Sequence, residues 1–191
     1  MRSVVINEEN MRFEELEKDK VKVRALVFNS EGKMILTHYE GFHLYMLPGG
    51  SVEKEDEGDR IKSLKREIAQ ETGIDKNHIW LNCQPFMQME VYHRNFSSRA
   101  SKLPVNRVTT TYFYAGMTDQ EICLEKRELT PSEKRANHTS FFISPEEVPD
   151  LLKSNTDQSV KRQDFDREIE MCLQEFFQNK NKETQGWEIT D

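Results

Sequence analysis

Nowhere does this 191-residue chain carry an apolar run approaching the length of a membrane span. Its opening, MRSVVINEENMRF, is too acidic, and too short in apolar residues, for a signal peptide. Cysteine is scarce. Cys83, Cys123 and Cys172 lie far apart, with no C-x-x-C spacing and no histidine grouped with them. That pattern excludes a disulfide scaffold and a zinc-ribbon site, suits a reducing cytoplasm and favours packing roles for the thiols. His38, His43, His78, His93 and His138 show no metal-binding spacing and read as ordinary loop or strand residues. Positive charge is in deficit, with 27 basic against 34 acidic residues and a net charge of −7. No nucleic-acid partner is therefore expected through a basic surface, and no membrane partner either. Phosphate-rich small molecules remain open, because a bound cation can supply local positive charge. Internal repeats and low-complexity tracts are missing too, and the length suits a single domain.

What the chain does have is concentrated between Leu47 and Ile74, in LPGGSVEKEDEGDRIKSLKREIAQETGI. A double-glycine turn leads into an amphipathic segment predicted as a helix. It begins near Asp59 as N-cap and ends at Gly73 as C-cap, with Ile61, Leu64 and Ile68 as the apolar stripe. Glu67, Gln70 and Glu71 stand in i, i+3, i+4 relation, so their side chains share one helix face. Two carboxylates and a carboxamide there are hard oxygen donors of the kind a magnesium ion selects.

This stretch resembles the signature of the Nudix hydrolases, G-x5-E-x7-R-E-U-x-E-E-x-G-U, where U is bulky and apolar. Arg66, Glu67, Ile68, Glu71, Gly73 and Ile74 sit where the pattern asks, after the Gly49-Gly50 turn. Two departures stand out. The spacing from Gly50 to Arg66 is two residues longer than the pattern. Counted back from Arg66, the early Glu position falls on Gly58, so Glu57 or Asp59 is expected to pair with Arg66. The first of the paired glutamates is Gln70, which offers a carbonyl oxygen without charge and so implies weaker metal binding or fewer ions.

The resemblance implies an α/β/α sandwich around a mixed sheet. It also implies metal-dependent hydrolysis within the pyrophosphate of a nucleoside diphosphate linked to another moiety X, with Mg²⁺ or Mn²⁺ as cofactor. Glu67 and Glu71 are the implied metal ligands, joined by Gln70 and a backbone oxygen at Gly49 or Gly50. Glu67 is also the position for orienting or deprotonating water, and Arg66 holds the loop. A further acid is expected before the late strand, where Glu125, Glu128 and Glu133 qualify and Glu133 is preferred. Substrate phosphates are expected at Arg94, Arg99 or Arg107, since guanidinium forks match phosphate oxygens. Rings are expected to stack on Tyr45, with Phe42, Tyr92 and Tyr112 as further candidates. The alternative is a nucleotide-binding, regulatory module with impaired catalysis, motivated by Gln70 and the stretched loop.

Around this stretch, the residues divide into an N-terminal extension (1–20), a core (21–155) and a C-terminal helix and tail (156–191) packing on the same domain. Ser3–Ile6, 21–28, 33–38, 108–116 and 141–143 read as strands. Residues 80–92 read as one or two strands interrupted at Pro85, and 122–124 as a short strand or loop. A helix is expected from Pro145 through Leu152. Another is expected over 160–178, its apolar side (Phe165, Ile169, Cys172, Phe176) serving the core or a second copy of the chain in a homodimer.

Overall fold

The computed structural model describes residues 1–96, 104–154 and 160–185, so Arg99 and Trp187 fall outside it. Its strands are β1 (Arg2–Ile6), β2 (Lys18–Phe28), β3 (Met34–Tyr39), β4 (Leu44–Met46), β5 (Gly49–Ser51), β6 (Ile79–Leu81), β7 (Met87–Phe96), β8 (Val105–Thr118) and β9 (His138–Ile143). Its helices are α1 (Arg60–Thr72), α2 (Pro131–Arg135), α3 (Val148–Ser154) and α4 (Val160–Gln185).

Alternation along β2 sets the layers, because successive side chains of a strand leave opposite faces. Val23, Ala25 and Val27 join Leu64 and Ile68 of α1 in one buried cluster. Leu26 joins Ile169, Cys172 and Leu173 of α4 and Leu152 of α3 in the other. One sheet is thus sandwiched between α1 and the α3–α4 pair, the expected α/β/α arrangement. The sheet runs β1-β7-β8-β2-β3-β4, with β5 and β6 appended to β2 and β8, and β9 to β3. It is mixed: β1 is parallel to β7 and β2 parallel to β8, while the other pairs are antiparallel.

β2 and β3, neighbours in sequence, share a single pair, Phe28↔Met34, whereas β2 pairs with β8 along its whole length. The N-terminal residues form an outer strand of the same sheet, Arg2–Ile6 running beside Met87–Val91. Residues 122–124 are loop running into a short 3-10 turn at Leu124–Lys126, because the Cys123 amide caps the α1 terminus by donating to the Thr72 carbonyl. Of the thiols, Cys172 is buried, Cys123 is half-buried and Cys83 is exposed, so the packing role expected for all three holds for Cys172.

β2 matters most for function. Beyond its pairing with β8 it carries β5 on its other edge, in the register Arg24↔Gly49, Val23↔Gly50 and Lys22↔Ser51. That register delivers the double-glycine turn to the N-terminal half of β2, directly above α1.

Candidate active site

Two glycines are required where β5 meets β2. Gly49 has φ +135°, and a Cβ there would lie 2.2 Å from the Val23 carbonyl oxygen. At Gly50 a Cβ would lie 2.3 Å from the carboxyl carbon of Glu67. The missing side chain is what lets that carboxylate rest against the turn.

α1 supplies the acids, and its ends are fixed locally. The Asp59 carboxylate accepts from the Ile61 and Lys62 amides at 2.9 and 3.0 Å, and Gly73 takes the left-handed conformation that ends the helix. Leu64 and Ile68 anchor its apolar face on β2, each burial stabilising the fold by about 1.5–3 kcal/mol. The adjoining face carries Glu67, Gln70 and Glu71.

Glu71 is buried, 2% exposed. One carboxylate oxygen accepts from the Gly49 amide at 2.9 Å and the other from the Tyr39 hydroxyl at 3.2 Å. Burial pushes its pKa up to about 8, against the pull of the Arg24 charge and the Gly49 hydrogen bond. Burial also raises Glu67, opposed by Arg66. His138 lies behind Glu71, its Nε2 3.9 Å away and its ring edge against Tyr39. Burial draws its pKa down to about 4, so the imidazole is neutral and the contact is not an ion pair. Sequence reading passed over His138. Its placement follows from the β3–β9 register Tyr39↔His138, which no local pattern reveals.

Arg66 organises the acids. It grips Asp56 through Nε at 3.3 Å and Nη2 at 2.8 Å, and its Nη1 donates to Glu67 at 2.8 Å and to Gln70 at 3.2 Å. Asp56 accepts further from Ser63 Oγ at 2.7 Å and from the Glu53 amide at 3.2 Å. The Arg66 hydrogen bond holds its carboxyl well below the usual carboxylate range. The acid paired with Arg66 is therefore Asp56, in place of the expected Glu57 or Asp59. Asp59 is used as the helix cap and Glu57 sits in a left-handed turn at φ 55°. The signal was available: Asp56 is six residues past Gly50, as the pattern asks when counted forward, so the two extra residues lie between Asp56 and Arg66.

The remaining expected residues disperse. Glu133 caps α2, accepting from the Thr130 amide at 2.6 Å, and its charge acts to raise both Glu67 and Glu71. Arg94 is held by Glu9 at 3.3 Å and Glu15 at 3.1 Å, out on the N-terminal side. Tyr45 stacks on His38 with centroids 4.3 Å apart. Arg107 lies over the Phe96 ring, 3.5 Å from its centroid, on the β8 row beside β2. Arg24, which sequence reading did not single out, is buried at 4% exposure and donates through Nη1 to the Gly49 carbonyl.

The donors at the double-glycine turn are thus the Glu67 and Glu71 carboxylates and the Gly49 peptide oxygen, with the Gln70 amide oxygen one turn along on the same helix face, accepting from Arg66. All are hard oxygens, the donor type a divalent ion takes, although the Gly49 oxygen is already engaged by Arg24 and, among the described residues, no three His, Cys, Asp or Glu side chains gather as a ready-made metal cluster.

The NUDIX domain family model matches residues 18–163 of the chain. Among solved structures, the MutT protein from Methanosarcina mazei Go1 is 18% identical, covering 82% of this chain and 96% of that one, with a TM-score of 0.47. The C. elegans Ap4A hydrolase in a binary complex is 11% identical, covering 85% of this chain and 98% of that one, with a TM-score of 0.50. The NUDIX domain of Shewanella oneidensis NrtR complexed with ADP ribose is 17% identical, covering 75% and 84%, with a TM-score of 0.43. At 11% identity, the likeness to the C. elegans hydrolase is one of fold. No curated protein matches the chain.

Proposed function

The chain belongs to the NUDIX family, and from that premise we propose that it hydrolyses a pyrophosphate linkage in a nucleotide derivative with a divalent cation, Mg²⁺ or Mn²⁺, as cofactor. The observation that supports this most is the meeting of Glu67 and Glu71 at the double-glycine turn, with Glu71 hydrogen-bonded to the Gly49 amide at 2.9 Å and Glu67 seated where Gly50 has no side chain.

In this reading Glu67, Glu71, the Gln70 amide oxygen and a peptide oxygen of the Gly49-Gly50 turn hold the ion. When bound, the ion neutralises phosphoryl oxygens and lowers the pKa of a water. The chain's own residues do the rest. Glu67 orients or deprotonates the attacking water. Its burial favours proton uptake, which suits a general base. Arg66, clamped by Asp56, fixes the direction of the Glu67 carboxylate. Glu71 orders the turn through the Gly49 amide, and Tyr39 and neutral His138 close the space behind it against water. Glu133 adds negative charge near the same acids, where a cation would be welcomed.

A second reading, a nucleotide-binding module with impaired hydrolysis, is favoured by Gln70 in place of an acid and by Arg24 already engaging the Gly49 carbonyl. One experiment separates the two: a hydrolysis panel of nucleoside triphosphates, dinucleoside polyphosphates, sugar nucleotides and NAD-type compounds with Mg²⁺ or Mn²⁺. We expect turnover of at least one member, abolished by Glu71→Gln and raised by Gln70→Glu. No turnover with either metal, together with calorimetric binding of intact nucleotide without metal, would reject the hydrolase in favour of the binding module.

A further inference from the structure

Alternate residues of β2 on the α4 side change character midway. Leu26 is core, but Arg24, Lys22 and Lys20 continue the same row toward the N-terminal end of the strand. The register places Thr111 beside Lys22 and Thr109 beside Lys20, and His93 lies across from Arg107 one step further on. Directly paired residues of neighbouring strands share a face. Lys20, Lys22, Arg24, Arg107, Thr109, Thr111 and His93 therefore share one polar stretch of a sheet face, bordered on β7 by the apolar Met89 and Val91.

This stretch is built but unsatisfied. Arg24 Nε, Arg107 Nε and Thr109 Oγ1 are buried without a hydrogen-bond partner among the described residues, and Arg24 and Thr109 are each 4% exposed. Buried polar atoms ordinarily find partners, so three on one patch point to a missing one. The facing acid is Glu168 of α4, whose Oε1 forms an ion pair with Arg24 Nε at 3.8 Å, too far for a hydrogen bond, and accepts no hydrogen bond among the described residues. Asp164 adds a second acid on the same helix, and Glu53 and Glu67 act on Lys20 from the turn side. The cations still crowd one another. Burial first, and then Arg24, pull the Lys22 ammonium down to about 7, despite Glu168. His93 is neutral, lowered to about 4 by burial and then by Arg107. An anion with several acceptor oxygens would satisfy the donors and relieve the repulsion. The row begins at Arg24, which also engages the Gly49 carbonyl, so it leads straight out of the candidate active site.

We propose that Lys20, Lys22, Arg24 and Arg107, with the Thr109 hydroxyl, form a subsite for a polyphosphate arm of the ligand. The substrate class is then one carrying phosphates beyond the linkage at the double-glycine turn, rather than a bare sugar or base on that side. As a statement about substrate this rests on the hydrolase reading; as a statement about anion binding it stands alone.

The test is titration of the full chain with inorganic tripolyphosphate by calorimetry, in chelator so that no metal contributes. We expect binding that weakens with added salt. Lys22→Met and Arg107→Met should each reduce affinity by about tenfold or more, as loss of a charge-assisted contact does. Glu168→Gln should bind several-fold more tightly, a gain that misfolding cannot imitate. Wild-type protein that binds no tripolyphosphate overturns the subsite, and so does affinity indifferent to all three substitutions. If the nucleotide panel shows no turnover while these affinities shift as described, the enzyme reading falls and the subsite stands. If turnover is found and the affinities do not shift, the subsite falls alone.

Discussion

Glu71 keeps its proton into the neutral range because it is buried, and that has a consequence for stability. Its folded pKa is about 8 against the ordinary glutamate value of about 4.3. Between those values the unfolded chain has released a proton that the folded chain retains, so without metal this group makes stability fall as pH rises. Glu71→Gln removes the titration. Urea midpoints in chelator should show the variant gaining on the wild type from pH 5 to pH 8, even as hydrolysis is lost. Parallel pH profiles would contradict the buried-proton account. Gly50 offers a complementary probe. Alanine there would put a Cβ 2.3–2.7 Å from three atoms of the Glu67 carboxyl group, so the carboxylate must move. Displacement of about 1 Å costs roughly 100-fold in rate. Gly50→Ala should lower kcat by that order while the thermal midpoint changes little, since what must shift is the flexible end of Glu67 and the only contact disturbed is its partly exposed pairing with Arg66. Both residues were legible in the sequence because the double glycine and the E-x-x-x-E spacing are local. His138 and Arg24 were not, since strand pairings from distant parts of the chain bring them to the site.

At the scale of elements, α1 is held to the loop before it by the Asp56–Arg66 clamp, and this clamp is pH-sensitive in the opposite sense. The folded pKa of Asp56 lies well below its usual value, chiefly through the Arg66 hydrogen bond. The stability it contributes is fully present above pH about 4 and is lost as pH falls through the lower, folded value. Asp56→Asn should therefore be less stable than wild type at pH 7 in chemical denaturation, and the gap should close toward pH 2. A gap constant with pH would show that the clamp acts by shape rather than charge. Asp59 and Gly73 bound α1 as read from sequence, because caps act within one turn of the helix. The short helix α2 was not foreseen, although Thr130-Pro131-Ser132-Glu133 carries a capping box in plain sight. Most strands were found, although Gly49–Ser51 was read as a turn and β7 and β8 run further than expected, but their partners were not. β2 chose β8, some ninety residues away, over the neighbouring β3, and periodicity carries no information about such a choice.

For the whole molecule, the first dozen residues are a structural tie between the outer strand β7 and α4. β1 closes the free edge of β7 in parallel register, and Met11 is buried with its backbone bracketed by the Asn7 side chain at 2.8 Å on both sides. Arg2 reaches Glu175 of α4 at 2.9 Å, and Arg167 of α4 reaches Glu8 at 3.1 Å. Val4 and Ile6 pack against the core that α4 covers. Deleting residues 1–12 removes that apolar cover and leaves the β7 edge with unpaired amides and carbonyls, a template for pairing with another chain. The glycine turn and α1 pack elsewhere: β5 contacts β2 on the far side of β8 from β7. The truncated chain should melt several degrees lower, as expected for about 1–2 kcal/mol lost from a domain of this size. It should also associate with increasing concentration in sedimentation, while its folded fraction keeps the wild-type kcat. An unchanged midpoint with no association would mean that β1 lies on the sheet without stabilising it, and that the remaining residues hold α4 in place unaided.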